Sequence, residues 1–218
     1  IATHAPAGLI VPHAGLPFSG PVAGTAYAQL KSFVPQYRRV VLLGPSHHVG
    51  FEGLATSSAS DFETPLGLMP LDRSACDTLA QMAQVSELDV AHGQEHSLEV
   101  QIPFLQVVLQ HCQLVPLVVG RASTSDVAEV VNAVWRPDTL IVASSDLSHY
   151  HDYETAQGLD TTTVKLIEEK RFEQLSGDRA CGYMAVRGLL KVARERDLYV
   201  SAIDVRNSGD TAGPRDQV

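Results

Sequence analysis

Apolar residues fall into two alternating patterns along the chain. Short runs rich in β-branched side chains, most of them without polar alternation, occupy residues 9–11, 40–43, 114–119, 140–143 and 199–205. Such runs suit strands covered on both faces, as in a largely parallel sheet. Between them, apolar residues recur every three to four positions, which predicts helices over 21–33, 73–84, 97–110, 125–135, 153–170 and 182–196. Strand and helix alternate, so the pattern predicts an α/β fold: a three-layer α/β/α sandwich with a mostly parallel central sheet. Asp72 is placed to cap the second helix, and Ser125 with Asp126 suits a helix start after the Gly120 turn. Pro103 lies inside a helical pattern and predicts a kink or restart there. Residues 51–69, with Gly53, Pro65 and Gly67, suit irregular strands and a small hairpin at the sheet edge.

The 218 residues show no linker and no repeat, so residues 1–218 are expected to form a single domain. Against 16 Lys and Arg stand 25 Asp and Glu, a formal charge of −9 that opposes attraction to phosphate backbones and argues against nucleic acid as a partner. No apolar run approaches the roughly 18 residues of a membrane span, and a cytoplasmic address is expected. Three cysteines without a CxxC pair imply neither a disulfide framework nor a zinc ribbon. The chain opens at Ile1 without Met and stops at Val218 after a loop-like run, so trimmed ends are expected.

Chemistry collects where three strand-like runs end. Pro12-His13-Ala14-Gly15 follows the first, Gly44-Pro45-Ser46-His47-His48 the second, and Ser144-Ser145-Asp146-Leu147-Ser148-His149 another. In open α/β sheets ligands bind beyond the carboxyl ends of the strands, where such loops converge. Imidazole is the commonest metal ligand and a proton carrier near neutral pH, so converging histidines point to metal-assisted or acid–base chemistry. Cys181 precedes the helix expected from Gly182, where free amides and the dipole favour thiolate. Cys76 and Cys112 lie in apolar helical stretches and are expected in the core. His96 and Glu99, one turn apart at a helix start, and His48, diverging from His47, are candidate substrate contacts.

These motifs, with Glu95-His96-Ser97-Leu98-Glu99 and Cys181-Gly182, together and in order resemble the Memo family, in bacteria the AmmeMemoRadiSam system protein B encoded beside an AMMECR1-like and a radical-SAM protein. The resemblance implies the fold of the catalytic subunit of class III extradiol dioxygenases, which hold nonhaem Fe(II) with two histidines and a carboxylate and open catechol rings with O₂. It implies His13 and His47 as metal ligands. It places His149 at the acid–base position, where Memo proteins also group it with the metal-site residues, and Cys181 at the third ligand position in place of the carboxylate. A thiolate is softer than a carboxylate and changes metal preference and redox behaviour.

Three functions remain open at this level. The first is an oxidoreductase with dioxygenase-like chemistry, in which His13, His47 and Cys181 bind Fe(II) or copper and His149, held by Asp146 or a nearby group, moves a proton. The second is a non-catalytic module that holds a small-molecule or peptide ligand in the same cleft, and the third is a zinc-dependent hydrolase. AMMECR1-like and radical-SAM proteins are the partners the resemblance implies.

Overall fold

The computed structural model describes residues 2–218. Among the described residues eight strands form: β1 (Gly8–Val11), β2 (Arg39–Pro45), β3 (Leu54–Thr56), β4 (Asp61–Thr64), β5 (Gly67–Pro70), β6 (Val85–Glu87), β7 (Gln113–Val119) and β8 (Thr139–Ser144). Six of them make one sheet in the order β1-β8-β2-β7-β3-β6, parallel throughout except where β3 runs against β7. β4 and β5 form a separate antiparallel hairpin, as residues 51–69 suggested. The helices are α1 (Leu16–Ala28), α2 (Arg73–Leu79), α3 (His96–Glu99), α4 (Ile102–Val108), α5 (Thr124–Val134), α6 (Tyr153–Glu168) and α7 (Tyr183–Glu195).

Alternate residues of the central strands explain the three layers. Val41, Leu43, Val115, Leu117, Ile141 and Ala143 enter one core with α5 and α7, whereas Val40, Leu42, Leu114, Val118, Leu140 and Val142 enter the other with α1 and α4. Both faces are covered, so the strands carry no polar alternation. Each such aliphatic side chain, fully withdrawn from water, contributes roughly 1.5–3 kcal/mol before entropy is counted.

Local chemistry sets several boundaries. The Asp72 side chain accepts the Ala75 amide at 3.0 Å and caps α2. Ser123 and Asp126 form a reciprocal capping box, so α5 begins slightly earlier than Ser125 would place it. The helical pattern around Pro103 breaks into α3 and α4 with Gln101 between them, since proline cannot supply the amide that a continuous helix needs.

One expected strand is absent. Residues 199–205 carry β-branched and aromatic side chains but adopt no regular structure, and Tyr199 is 90% exposed. Among the described residues β1 pairs only with β8, and no ladder partner holds the 199–205 segment; strand propensity without cross-strand pairing does not make a strand. Conversely, β6 went unanticipated because three residues are too few to show a period.

Candidate metal centre

β1, β8 and β2 are parallel neighbours, so their carboxyl ends open side by side. The loop after β1 carries His13, the loop after β2 carries His47, and the loop after β8 carries Asp146 and His149. Cys181 arrives from the turn before α7. Its neighbour Gly182 lies so close to β8 that an added Cβ would stand 2.4 Å from the Ser144 carbonyl oxygen, and the Gly182 amide donates to Ser145 Oγ at 2.9 Å. That close approach brings the sulfur to the imidazoles.

His13 Nε2 and Cys181 Sγ are 3.3 Å apart. One donor atom from each of His13, His47 and Cys181 lies within 4.8 Å of the others, and the same limit holds for Asp146, His149 and Cys181. Nitrogen and sulfur bound to one tetrahedral ion, at roughly 2.0 and 2.3 Å, stand roughly 3.5 Å from each other. The donor set therefore fits a single ion.

Electrostatics prepare the sulfur. Burial alone would raise its pKa, but hydrogen bonds from His13, His149 and His47 bring Cys181 down to about 4. Cys76 and Cys112 behave oppositely: both are buried, and burial raises the first and pushes the second up to about 11.

His47 is raised to about 10, first by its hydrogen bond with Cys181 and then by that with Glu95. Its Nδ1 donates to Glu95 Oε1 at 2.8 Å, which leaves Nε2 for the sulfur or an ion. Against the upward pull of burial, hydrogen bonds from the His47 ring, the His47 amide and the Ser97 amide hold Glu95 at about 2. A second triad, His47 with Glu95 and His96, also has its donor atoms within 4.8 Å. There, however, Glu95 Oε1 already receives the His47 ring and the Ser97 amide, and Oε2 receives the His47 amide at 2.6 Å. This carboxylate orients a ligand rather than serving as one.

α3 can reach this position because Gly44 in β2 has no side chain: a Cβ there would meet Leu98 Cδ1 at 2.5 Å and Ser97 Oγ at 2.6 Å. Ser97 Oγ donates to the Pro45 carbonyl at 2.9 Å and fixes the contact.

The remaining expected residues lie at varied distances from this centre. Asp146 Oδ1 accepts the amides of His13 at 2.8 Å and Ala14 at 3.2 Å, so the carboxylate clamps the His13 loop. His149 is exposed at residue level, and its pKa is raised first by the hydrogen bond with Cys181. The His96 ring stacks on His47 with centroids 4.8 Å apart and meets His13 edge-on at 5.5 Å. Burial lowers its pKa, and the His13 and His47 charges add to that. The His48 ring stands 6.5 Å from that of His47, at 65°. Glu99 is exposed, and it has no side-chain hydrogen bond or ion pair among the described residues. Sequence reading passed over Glu95, although a carboxylate just before a helix is a capping signal in its own right.

Two hollows border this centre, the smaller reaching Cys181 and the larger reaching Asp146 and His149. One, of about 260 Å³, is lined by Ser46, Val49, Phe51, Cys181 and Tyr183. The other, of about 1220 Å³, runs beside β1 past Leu9, Trp135, Leu189 and Val200 and has Asp146 and His149 in its wall. No helix among the described residues is long and apolar enough to cross a membrane.

Comparison with known proteins places this geometry in a family context. The family model described as Memo-like protein matches residues 2–218. A MEMO1 family protein of Nitrosopumilus maritimus is 33% identical over 97% of this chain and 81% of its own length. MEMO1 family proteins of Thermotoga petrophila and Thermotoga maritima are 32% and 33% identical, over 98% and 95% of this chain and 80% and 78% of theirs.

Proposed function

The chain belongs to the Memo-like family, and from that premise we propose that it is a mononuclear metal protein with oxidoreductase, dioxygenase-like chemistry, in which His13, His47 and Cys181 hold the ion. The observation that carries this reading is the 3.3 Å approach of His13 Nε2 to Cys181 Sγ, with Nδ1 of each histidine turned to an acceptor outside the cluster. The family resemblance favours Fe(II), and two imidazoles with a thiolate also accept copper or zinc. Such an ion, when bound, supplies Lewis acidity and, for iron or copper, a redox partner for O₂.

The chain's own residues do the rest. Cys181 enters the site as thiolate at neutral pH, so it needs no base to become a ligand. Asp146 holds the His13 loop through two amides, and Glu95 holds the His47 ring. His149, in the wall of the larger hollow, is placed to give or take a proton from a substrate lodged there, and burial by that substrate would exclude water from the exchange. Apolar lining on the β1 side suits a small organic ligand with a hydrophobic body.

Metal analysis of anaerobically purified protein tests the ligand set. A near-stoichiometric transition metal in the parent, lost in His13→Ala and in Cys181→Ser, is expected; unchanged content in both variants rejects the assignment. Oxygen uptake with catechols, set against hydrolysis of model esters, separates redox from hydrolytic use. The larger hollow also suits a module that binds a ligand without turnover, and for that reading ligand affinity would survive complete chelation.

A further inference from the structure

Behind His13 lies a hydrogen-bonded group of fully buried polar side chains. His13 Nδ1 meets Ser144 Oγ at 2.9 Å. Ser144 Oγ also meets the Ser97 carbonyl at 2.6 Å and Gln101 Nε2 at 2.9 Å. Gln101 Nε2 makes a second bond, 2.9 Å, to the Pro12 carbonyl, and Gln101 Oε1 accepts from the Tyr27 hydroxyl at 2.9 Å. Ser144, Ser97 and Gln101 have no solvent exposure, and His13 and Tyr27 have 1%. Water therefore cannot substitute for a missing partner.

Counting hydrogens leaves one solution. The Pro12 carbonyl can only accept, so the Gln101 atom facing it is the NH₂ group, and its other hydrogen goes to Ser144 Oγ. The Ser97 carbonyl can only accept, so the single hydroxyl hydrogen of Ser144 goes there. Ser144 Oγ then has one lone pair free, and it faces His13 Nδ1. Two lone pairs cannot face each other at 2.9 Å in a dry interior, so Nδ1 carries hydrogen.

We propose that Ser144, oriented by Gln101 and the Ser97 carbonyl, is a positioning residue that keeps hydrogen on Nδ1 of His13 and so leaves Nε2 as the atom that meets the Cys181 sulfur and is free to take the ion. On the other side of α3, Glu95 does the same for His47. A seven-residue segment, Glu95 to Gln101, thus sets the tautomer of both imidazoles. In the direction that bears on metal, this inference rests on the proposed ligand set; its tautomer content stands independently.

The test has two arms. Long-range ¹H–¹⁵N NMR of metal-free protein is expected to show hydrogen on Nδ1 of His13, with or without a second one on Nε2 directed at the Cys181 sulfur; an Nδ1 that carries no hydrogen overturns the inference whatever the metal does. In Ser144→Ala the preference is expected to be lost, and Zn(II) affinity, read by competition with a chromophoric chelator, to fall by about 10–100-fold. Thr163→Val, which removes a buried hydroxyl bonded to the Leu159 carbonyl within its own helix, is the control for general loosening and is expected to leave both readouts unchanged. Should Ser144→Ala fail to fold, the parent spectrum alone decides. A folded Ser144→Ala protein that keeps the Nδ1–H form with parental Zn(II) affinity overturns the proposal. A parent that shows Nδ1–H but binds no Zn(II) at this site sustains the tautomer assignment and rejects the ligand set instead.

Discussion

At the amino ends of the central strands, Arg39 of β2 turns into the protein and meets Asp72, its Nε 2.8 Å from Oδ2 and its Nη2 on the same oxygen, while Nη1 donates to the Val134 carbonyl. Asp72 Oδ1 accepts the Ala75 amide. Every strong group there points at a partner within the same small set. At the carboxyl ends, some of the same strands present His13, His47 and His149 to a single sulfur, and their outward atoms converge on one point instead of pairing off. Both ends bury charge. The first is closed and holds layers together; the second keeps donors available because its supporting groups, Ser144 and Glu95, take the opposite nitrogen of each ring. Direction of the donor atoms, more than burial or charge, separates a structural cluster from a reactive one.

This contrast can be broken most severely through Cys181. Its pKa falls from 9.0 in an unstructured chain to about 4 in the folded protein. Because the folded value is the lower, the folded state binds fewer protons between the two, and the associated stability is complete above about pH 9 and lost as pH falls through about 4. Thiolate ultraviolet absorption of metal-free protein, corrected with Cys181→Ser, should titrate near pH 4; a midpoint near 9 would show that the imidazoles do not act on the sulfur.

Next in size is Asp72→Ala, which leaves Arg39 buried without its counter-charge and should cost about 3–5 kcal/mol in denaturant unfolding. Metal affinity of the folded fraction should stay at the parental value, since the amino-end pair makes no contact with the ligands. A loss of affinity there would erase the distinction between the two ends.

Glu95→Gln is the corresponding change at the reactive end. With a neutral amide beside it, His47 loses a charged acceptor, its pKa should drop from about 10, and metal affinity should weaken by about 10–100-fold. Histidine titration by NMR reads the first and chelator competition the second. Smallest is Ser123→Ala, which removes the α5 cap and should cost about 1 kcal/mol with no effect on either end.

Much of this architecture can be read from the chain because the physics is local. β2, β7 and β8 are buried on both faces, and unbroken apolar runs report that directly. The strand-end positions of His13, His47 and His149 are equally visible, since parallel topology gathers such ends. Supporting residues are not. Glu95 is 48 positions from His47, and Ser144 is 131 from His13, and nothing in a lone Glu or Ser tells which ring it will hold. Gln101 is plainer still as sequence, an amide next to a helix break, and its role exists only once Pro12, Tyr27 and Ser144 surround it. The error at residues 199–205 has the same root: side chains favoured a strand, but pairing is a property of neighbours.

Gly182 carries a last consequence. It binds nothing through a side chain, yet the 2.4 Å that an added carbon would leave to the Ser144 carbonyl means that even alanine would wedge the start of α7 away from β8 and drag the sulfur with it. The distance between thiolate and imidazoles is thus gauged by a missing methyl group. A library randomised at this codon and sorted for metal retention should return glycine alone, making the least reactive residue at the centre the most demanding one to replace.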